Sequence, residues 1–271
     1  MALMLISRSL LRVLALLVLL GCLFASFAVS AQSAWSFRSG GQLRFPNSQQ
    51  AGDHGNAMIE PWARLDRRLW SQGKLDISVF VRLKPIADTA DFSFNNATTI
   101  GAGLAVRLRP AKDLSLGLAL RHDWMKRRDG TASKRGLRAI ADFFYLSYQP
   151  LDGDQSVSAR VIKAWGSATF PDSLNSGDTN LSFSGGAEAA WHMPQASPNL
   201  TLIPYVAMIL ALDTDGNTYN NKAQPQLGLR WRWRLNGQDV SLGLRYQTDY
   251  RWKNNSFRHG PGLTAGWYLN F

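Results

Sequence analysis

Arg230, Arg232 and Arg234 stand two residues apart in QLGLRWRWRL, with Leu229, Trp231 and Trp233 between and beside them. A spacing of two puts side chains on one face of a β-strand, so three guanidinium groups share one face and large apolar groups share the other. The same alternation recurs along the chain and places Arg38, Arg64, Arg68, Arg82, Lys84, Arg107, Arg109, Arg121 and Arg245 on polar faces. The carboxylates on those faces are Glu60, Asp66, Asp76, Glu188 and Asp249, too few to neutralise the arginines. The chemistry of such a set is the binding and steering of anions: clustered cations beside low-dielectric walls raise the local anion concentration.

Bond-making chemistry has thinner support. The four histidines are His54, His122, His192 and His259. His122 is followed by Asp123 and is the weak catalytic candidate, because an acid/base or nucleophilic site needs a histidine within hydrogen-bond reach of its partners. No Cys/His spacing suits a metal, no glycine-rich phosphate loop occurs, and Asp213-Thr214-Asp215-Gly216 is too short for a calcium loop. No metal and no cofactor is expected.

The elements that must carry these residues are strands. Alternation marks a first strand around Trp35–Phe45, a second around Ile59–Leu69 and a third from Lys74 to Lys84, with the turn Ser71-Gln72-Gly73 between the last two. Further strands follow near Thr99–Arg109, Leu114–Leu120, Gly136–Gln149, Val157–Val161, Leu181–Trp191 and Leu200–Leu212, then Gln226–Leu235, Val240–Tyr250 and Gly262–Phe271. The facing of Gly136–Gln149 is ambiguous, since Phe143 and Phe144 are adjacent. Asn236-Gly237 is a hairpin turn signal. The count is even, about 12, and connections alternate long and short, with long ones after each odd strand. That sorting predicts an all-β chain: a transmembrane antiparallel up-and-down β-barrel whose short turns lie at the periplasmic side and whose longer loops lie outside. In that frame Arg38, Arg68, Arg107, Arg109, Arg232 and Arg234 gather in the periplasmic half of the lumen.

Composition agrees. Ten tryptophans, 23 glycines and a mean hydropathy of −0.17 suit strands that are apolar on alternate residues only. Residues 1–31 read as a signal peptide: Arg8 and Arg12, an apolar run from Val13 to Phe27, and the small-residue site Val29-Ser30-Ala31. Residues 32–271 are then the barrel. Cleavage after Ala31 removes Cys22, the single cysteine, so the mature chain has no thiol chemistry. Lipoprotein processing at Cys22 is the rival reading. The formal charge is +11, and removal of Arg8 and Arg12 leaves a mature chain still strongly basic. Its anionic partner is a solute, a polysaccharide or lipopolysaccharide rather than nucleic acid, which a secreted chain does not meet.

Two resemblances follow. In GLTAGWYLNF, with Trp267, Leu269 and Phe271 on one face, the ending resembles the C-terminal signal by which the assembly machinery recognises bacterial outer-membrane barrels. The run GAGLAVRLRPAKDLSLGLALRHDW, Gly101–Trp124, is similar to the hairpins in the C-terminal barrel of the phage N4 adsorption protein A type and of exopolysaccharide secretion porins. The resemblance implies a Gram-negative outer-membrane location and passage of a polysaccharide, with a separate periplasmic scaffold or secretion partner, since only a short segment precedes the first strand. The expected function is a channel or porin for an anionic solute or exopolysaccharide. One alternative is a lipid-modifying barrel enzyme of the phospholipase or lipid A acyl hydrolase kind, with His122 at its outer rim. Another is a receptor or structural barrel with a closed lumen, held to lipopolysaccharide by outer basic residues such as Lys163.

Overall fold

A computed structural model describes residues 34–49, 55–89, 96–128, 133–151, 158–172, 180–195, 197, 199–216, 220–236 and 238–271. The predicted signal peptide lies outside the described residues. Twelve strands run in order: β1 Trp35–Phe45, β2 Met58–Gln72, β3 Leu75–Asp88, β4 Ala97–Ala111, β5 Leu114–Arg127, β6 Ser133–Pro150, β7 Ala159–Phe170, β8 Ser182–Pro194, β9 Leu200–Asp213, β10 Lys222–Leu235, β11 Gln238–Arg251 and β12 Ser256–Asn270. Each pairs antiparallel with its sequence neighbours, and β1 pairs with β12, so the sheet closes on itself. Closure removes the open edges that an isolated sheet would present.

The alternation sets two surfaces. Outward stand Leu104, Leu118, Leu120, Leu227, Leu242 and their neighbours; Leu118 is 64% exposed and Leu227 63%, values that only an apolar environment would make favourable. Inward stand the charged and amide side chains. A strand of 14 residues such as β3, rising about 3.3 Å per residue and tilted about 40°, reaches across roughly 35 Å, more than the apolar band of about 25 Å typical of membrane barrels.

One end carries the two-residue connections β2–β3, β4–β5 and β10–β11, the first residues of β1 and the last of β12. Gly73 and Asn236 adopt positive φ there, as tight hairpins require. The opposite end carries the loops 46–57, 89–96, 171–181 and 214–221. The expected alternation of long and short connections is corrected at three places: those after β5 (128–132) and β11 (Trp252 to Asn255) are short, because the flanking strands stay paired almost to their ends, and the one after β6 (151–158) is as long as 89–96. Another correction concerns β7, where Ala159 and Val161 face inward and Arg160 and Ile162 outward. Their register partners are His192 and Ala190 for the inward pair and Trp191 and Ala189 for the outward pair. On β6, Phe143 faces outward against Gly166 and Phe144 inward opposite Trp165.

The seam between β1 and β12 is made by complementary side chains. Gly41 leaves room on the outer wall for the indole of Trp267, into which a Cβ would run. On the inner wall Trp62 covers Gly40 and lies 6.3 Å, ring to ring, from Tyr268. Leu269 pairs with Ser39, and Phe271 exchanges backbone hydrogen bonds with Phe37 at 3.0 and 2.9 Å.

Candidate functional site

The candidate site is the inner wall. Register brings Gln226, Gly228, Arg230, Arg232 and Arg234 of β10 opposite Gln247, Arg245, Gly243, Ser241 and Asp239 of β11, all inward. The same rule puts Arg38 and Arg64 side by side on β1 and β2. Arg107 stands opposite Asp76 and Gly117, and Arg121 opposite Gly103 and Arg138. Arg68, opposite Ser78, ends the regular stretch of β2 before a bulge. Arg109 reaches Asp76 at the short-turn end. With Arg82, opposite Gly101, the eleven arginines singled out from spacing thus line one continuous surface.

Carboxylates hold many of them. Near the short-turn end Arg38 and Arg64 both grip Asp66, at 2.8 and 2.7 Å. Arg109 meets Asp76 at 2.6 Å, Arg107 meets Asp142 at 3.4 Å and Arg234 meets Asp239 at 3.1 Å. At mid-height Glu188 takes Arg230 at 2.9 Å and Lys163 at 3.3 Å. Toward the loop end Glu60 takes Arg44 and Lys84. Asp123 takes Arg121 at 2.7 Å and Arg138 at 3.5 Å, and Arg138 also reaches Asp172 at 2.7 Å. Aromatic faces supply the remaining stabilisation: Arg64 lies 3.8 Å over Phe80 and Arg230 4.5 Å over Tyr205.

Sequence reasoning missed several of these acids. Asp123 enters the sequence reading only beside His122 at the outer end of the fifth strand, Asp239 falls in a segment read as a turn, and Asp142 follows from β6 only once Phe143 is known to face outward. Lys163 is a correction as well: it points into the lumen beside Glu188 and is not an outer basic residue. Inward cations still outnumber inward carboxylates. Among the described residues no carboxylate stands at ion-pair distance from Arg68, Arg82, Arg232 or Arg245. Arg232 lies 3.5 Å from His192 Nδ1, and Arg245 donates to the Pro46 carbonyl at 3.1 Å.

The loop end is stitched inward. Asp249 is fully buried and accepts hydrogen bonds from the Ser48 hydroxyl (2.8 Å), the Gln49 amide (2.6 Å), Gln247 (2.6 Å) and Gln224. Gln49 in turn donates to the carbonyls of Gly260 and Pro261 at 3.3 and 3.1 Å. These belong to the part of β12 that extends past the end of β1, so the first loop covers an edge that β1 leaves bare. Three loops share one clamp. Asp88, Asp172 and Asp213 each donate the backbone N–H to the side-chain oxygen of an asparagine eight residues on, Asn96, Asn180 and Asn221, at 3.0 to 3.2 Å. This eight-residue Asp–Asn repeat is visible in the sequence as DTADFSFNN, DSLNSGDTN and DTDGNTYNN.

The histidines do not assemble a catalytic set. His122 faces outward on β5, opposite Ala102, with its ring 4.4 Å from Trp124, whereas Asp123 points into the lumen. Adjacent strand residues face opposite sides, so this His–Asp pair cannot share a proton. His259 faces outward and bonds Tyr246; His192 faces inward. His54 lies outside the described residues.

No family model matches the chain, and no curated protein matches it. Solved structures do. The β domain of the Bordetella autotransporter BrkA is similar over 88% of this chain and 98% of that one, with a TM-score of 0.50 and 13% identity. An outer-membrane channel from Pseudomonas putida F1 covers 88% and 96%, with a TM-score of 0.47 and 10% identity. A bacterial polysaccharide outer membrane secretin covers 89% and 100%, with a TM-score of 0.44 and 9% identity. At such identities a likeness speaks for the fold alone: a closed antiparallel barrel of twelve strands, of the architecture seen in outer-membrane proteins.

Proposed function

We propose that this chain is an outer-membrane channel that passes or exports an anionic solute or exopolysaccharide through its basic lumen. The observation that carries the reading is the inner wall. Guanidinium groups exceed carboxylates, and Arg82, Arg232 and Arg245 have no carboxylate at ion-pair distance among the described residues. In a narrow bore such charges favour anions over cations. The apolar outer wall supports placement in a lipid bilayer, and the sorting of short turns to one end supports a periplasmic side there. Exopolysaccharide as the larger cargo follows from the resemblance of the Gly101–Trp124 hairpin. That reading brings with it a periplasmic secretion partner, the barrel assembly machinery acting on Trp267, Leu269 and Phe271, and contact with lipopolysaccharide outside.

The test is single-channel conductance of the refolded chain in a planar bilayer under a salt gradient. An anion-selective reversal potential is expected, moving toward cation selectivity in the double variant Arg232→Glu, Arg245→Glu. Absence of current from protein shown folded by heat-modifiable gel mobility would overturn the open channel and leave a receptor or structural barrel with a closed lumen.

A further inference from the structure

Toward the loop end of the lumen, the walls of β3, β4, β5 and β6 enclose a cavity of 160 Å³. Arg82 and Lys84 line it from β3, Thr99 from β4, and Arg121, Asp123 and Arg138 from β5 and β6. Beside the hollow, Gly101 and Gly103 have no side chains on this face, and Asp123 and Arg121 lie close against β4 there. Arg82 pairs with Gly101, and Gly103 with Arg121. A Cβ at Gly101 would meet Arg121 Cδ at 2.9 Å and run into a carboxylate oxygen of Asp123.

The charges around this hollow do not close on themselves. Asp123 accepts a hydrogen bond from Arg121 Nη2 at 2.7 Å and forms ion pairs with Arg121 and Arg138. Asp172 holds the other side of Arg138. Glu60, the partner of Lys84 at 3.4 Å, is shared with Arg44. Arg82 is half-buried and has no carboxylate at ion-pair distance among the described residues. A cation held in a partly desolvated pocket without a counter-charge is costly, and an anion in the hollow removes that cost.

We infer that this cavity is a binding site for a phosphate-type oxyanion, held by Arg82, Lys84 and the outer nitrogens of Arg121, with the Thr99 hydroxyl as a further donor. This rests on, and deepens, the reading of the lumen as an anion path. Cations on β3 and β5, the two neighbours of β4, can each take a different oxygen of a tetrahedral anion, whereas a carboxylate offers two oxygens in one plane. The volume accommodates about five waters at roughly 30 Å³ each, room for one phosphate group with part of its hydration. The group can come from free phosphate or from a phosphate carried on a sugar.

Equilibrium binding separates this site from conduction. Inorganic phosphate and, in a second arm, glucose 1-phosphate are titrated calorimetrically into the detergent-refolded full chain at fixed chloride. Saturable binding of at least one is expected, weakened about tenfold in Arg82→Gln, by loss of one charge-assisted contact. Gly101→Ser, whose side chain displaces Arg121 and Asp123, is expected to weaken it too. Lys253→Gln, which removes the same charge from an exposed residue of the short β11–β12 connection, is expected to leave it unchanged. Binding of inorganic phosphate alone assigns the site to the free ion; tighter binding of the sugar phosphate assigns it to a phosphorylated cargo. No binding by folded protein, or equal weakening by Arg82→Gln and Lys253→Gln, overturns the site. A channel that fails to conduct but binds phosphate in this pattern would overturn the channel and leave the site standing.

Discussion

Glu188 shows what a single lumen residue does. It is 8% exposed and sits between Lys163 and Arg230. Glu188→Gln leaves both cations facing each other without a counter-charge and is expected to destabilise the folded barrel by about 1–3 kcal/mol. The measurement is the urea midpoint of reversible unfolding in detergent. Adding Arg230→Gln should restore part of the loss, since removing both partners leaves less uncompensated charge than removing one. His122 belongs at the same scale with the opposite expectation. It lies on the outer wall beside Trp124 and touches no carboxylate. His122→Ala should shift the same midpoint by less than about 1 kcal/mol and leave lipid turnover in vesicles at the level of the parent chain. A loss of lipid hydrolysis in that variant would bring the enzyme reading back.

At the scale of elements, the loop bases and the closing seam are where sequence detail matters most. Asn96 accepts the Asp88 N–H at 3.1 Å and donates to the Asp88 carbonyl at 3.2 Å, both buried. Asn96→Leu strands these two groups and should cost about 1–3 kcal/mol, seen as a lower unfolding temperature and faster proteolysis at the 89–96 loop. The seam depends on Gly41 and Trp267. Gly41→Val pushes the indole off the outer wall and should weaken closure between β1 and β12 by about 1–3 kcal/mol, as overpacking does. Its readout is a reduced fraction of the heat-modifiable folded band after refolding. Should Gly41→Val refold as well as the parent chain, the packing of Trp267 on Gly41 would not be what secures the seam.

For the molecule as a whole, the consequence of twelve strands closed around a basic lumen is selectivity that depends on salt. Charges in the wall act over about 10 Å at 0.1 M salt and about 3 Å at 1 M. Anion preference, read from the reversal potential, should therefore be strong at low salt and fade toward 1 M. A preference independent of salt would point to a size filter instead of a field. The first loop bears on this, because Ser48 and Gln49 occupy the mouth over Asp249.

The sequence by itself determined the strand count, the arginine face and, outside β6 and β7, the in–out alternation, because a period of two written ten to fifteen times is local information that survives any packing. It also carried the sorting of the two-residue turns to one end, but not the lengths of the connections after β5, β6 and β11. What only the tertiary structure decided is who meets whom. Asp123, Asp142 and Asp239 neutralise arginines from neighbouring strands, Lys163 turns into the lumen, and His122 and Asp123 part to opposite walls. The physical reason is that register between strands, and the bulges that shift it at Arg68 and Trp70, fix cross-strand partners that no single strand's pattern contains. The hollow beside Gly101 is of the same kind: each strand around it reads as ordinary, and the site exists only where β3, β5 and β6 bring their cations together beside β4.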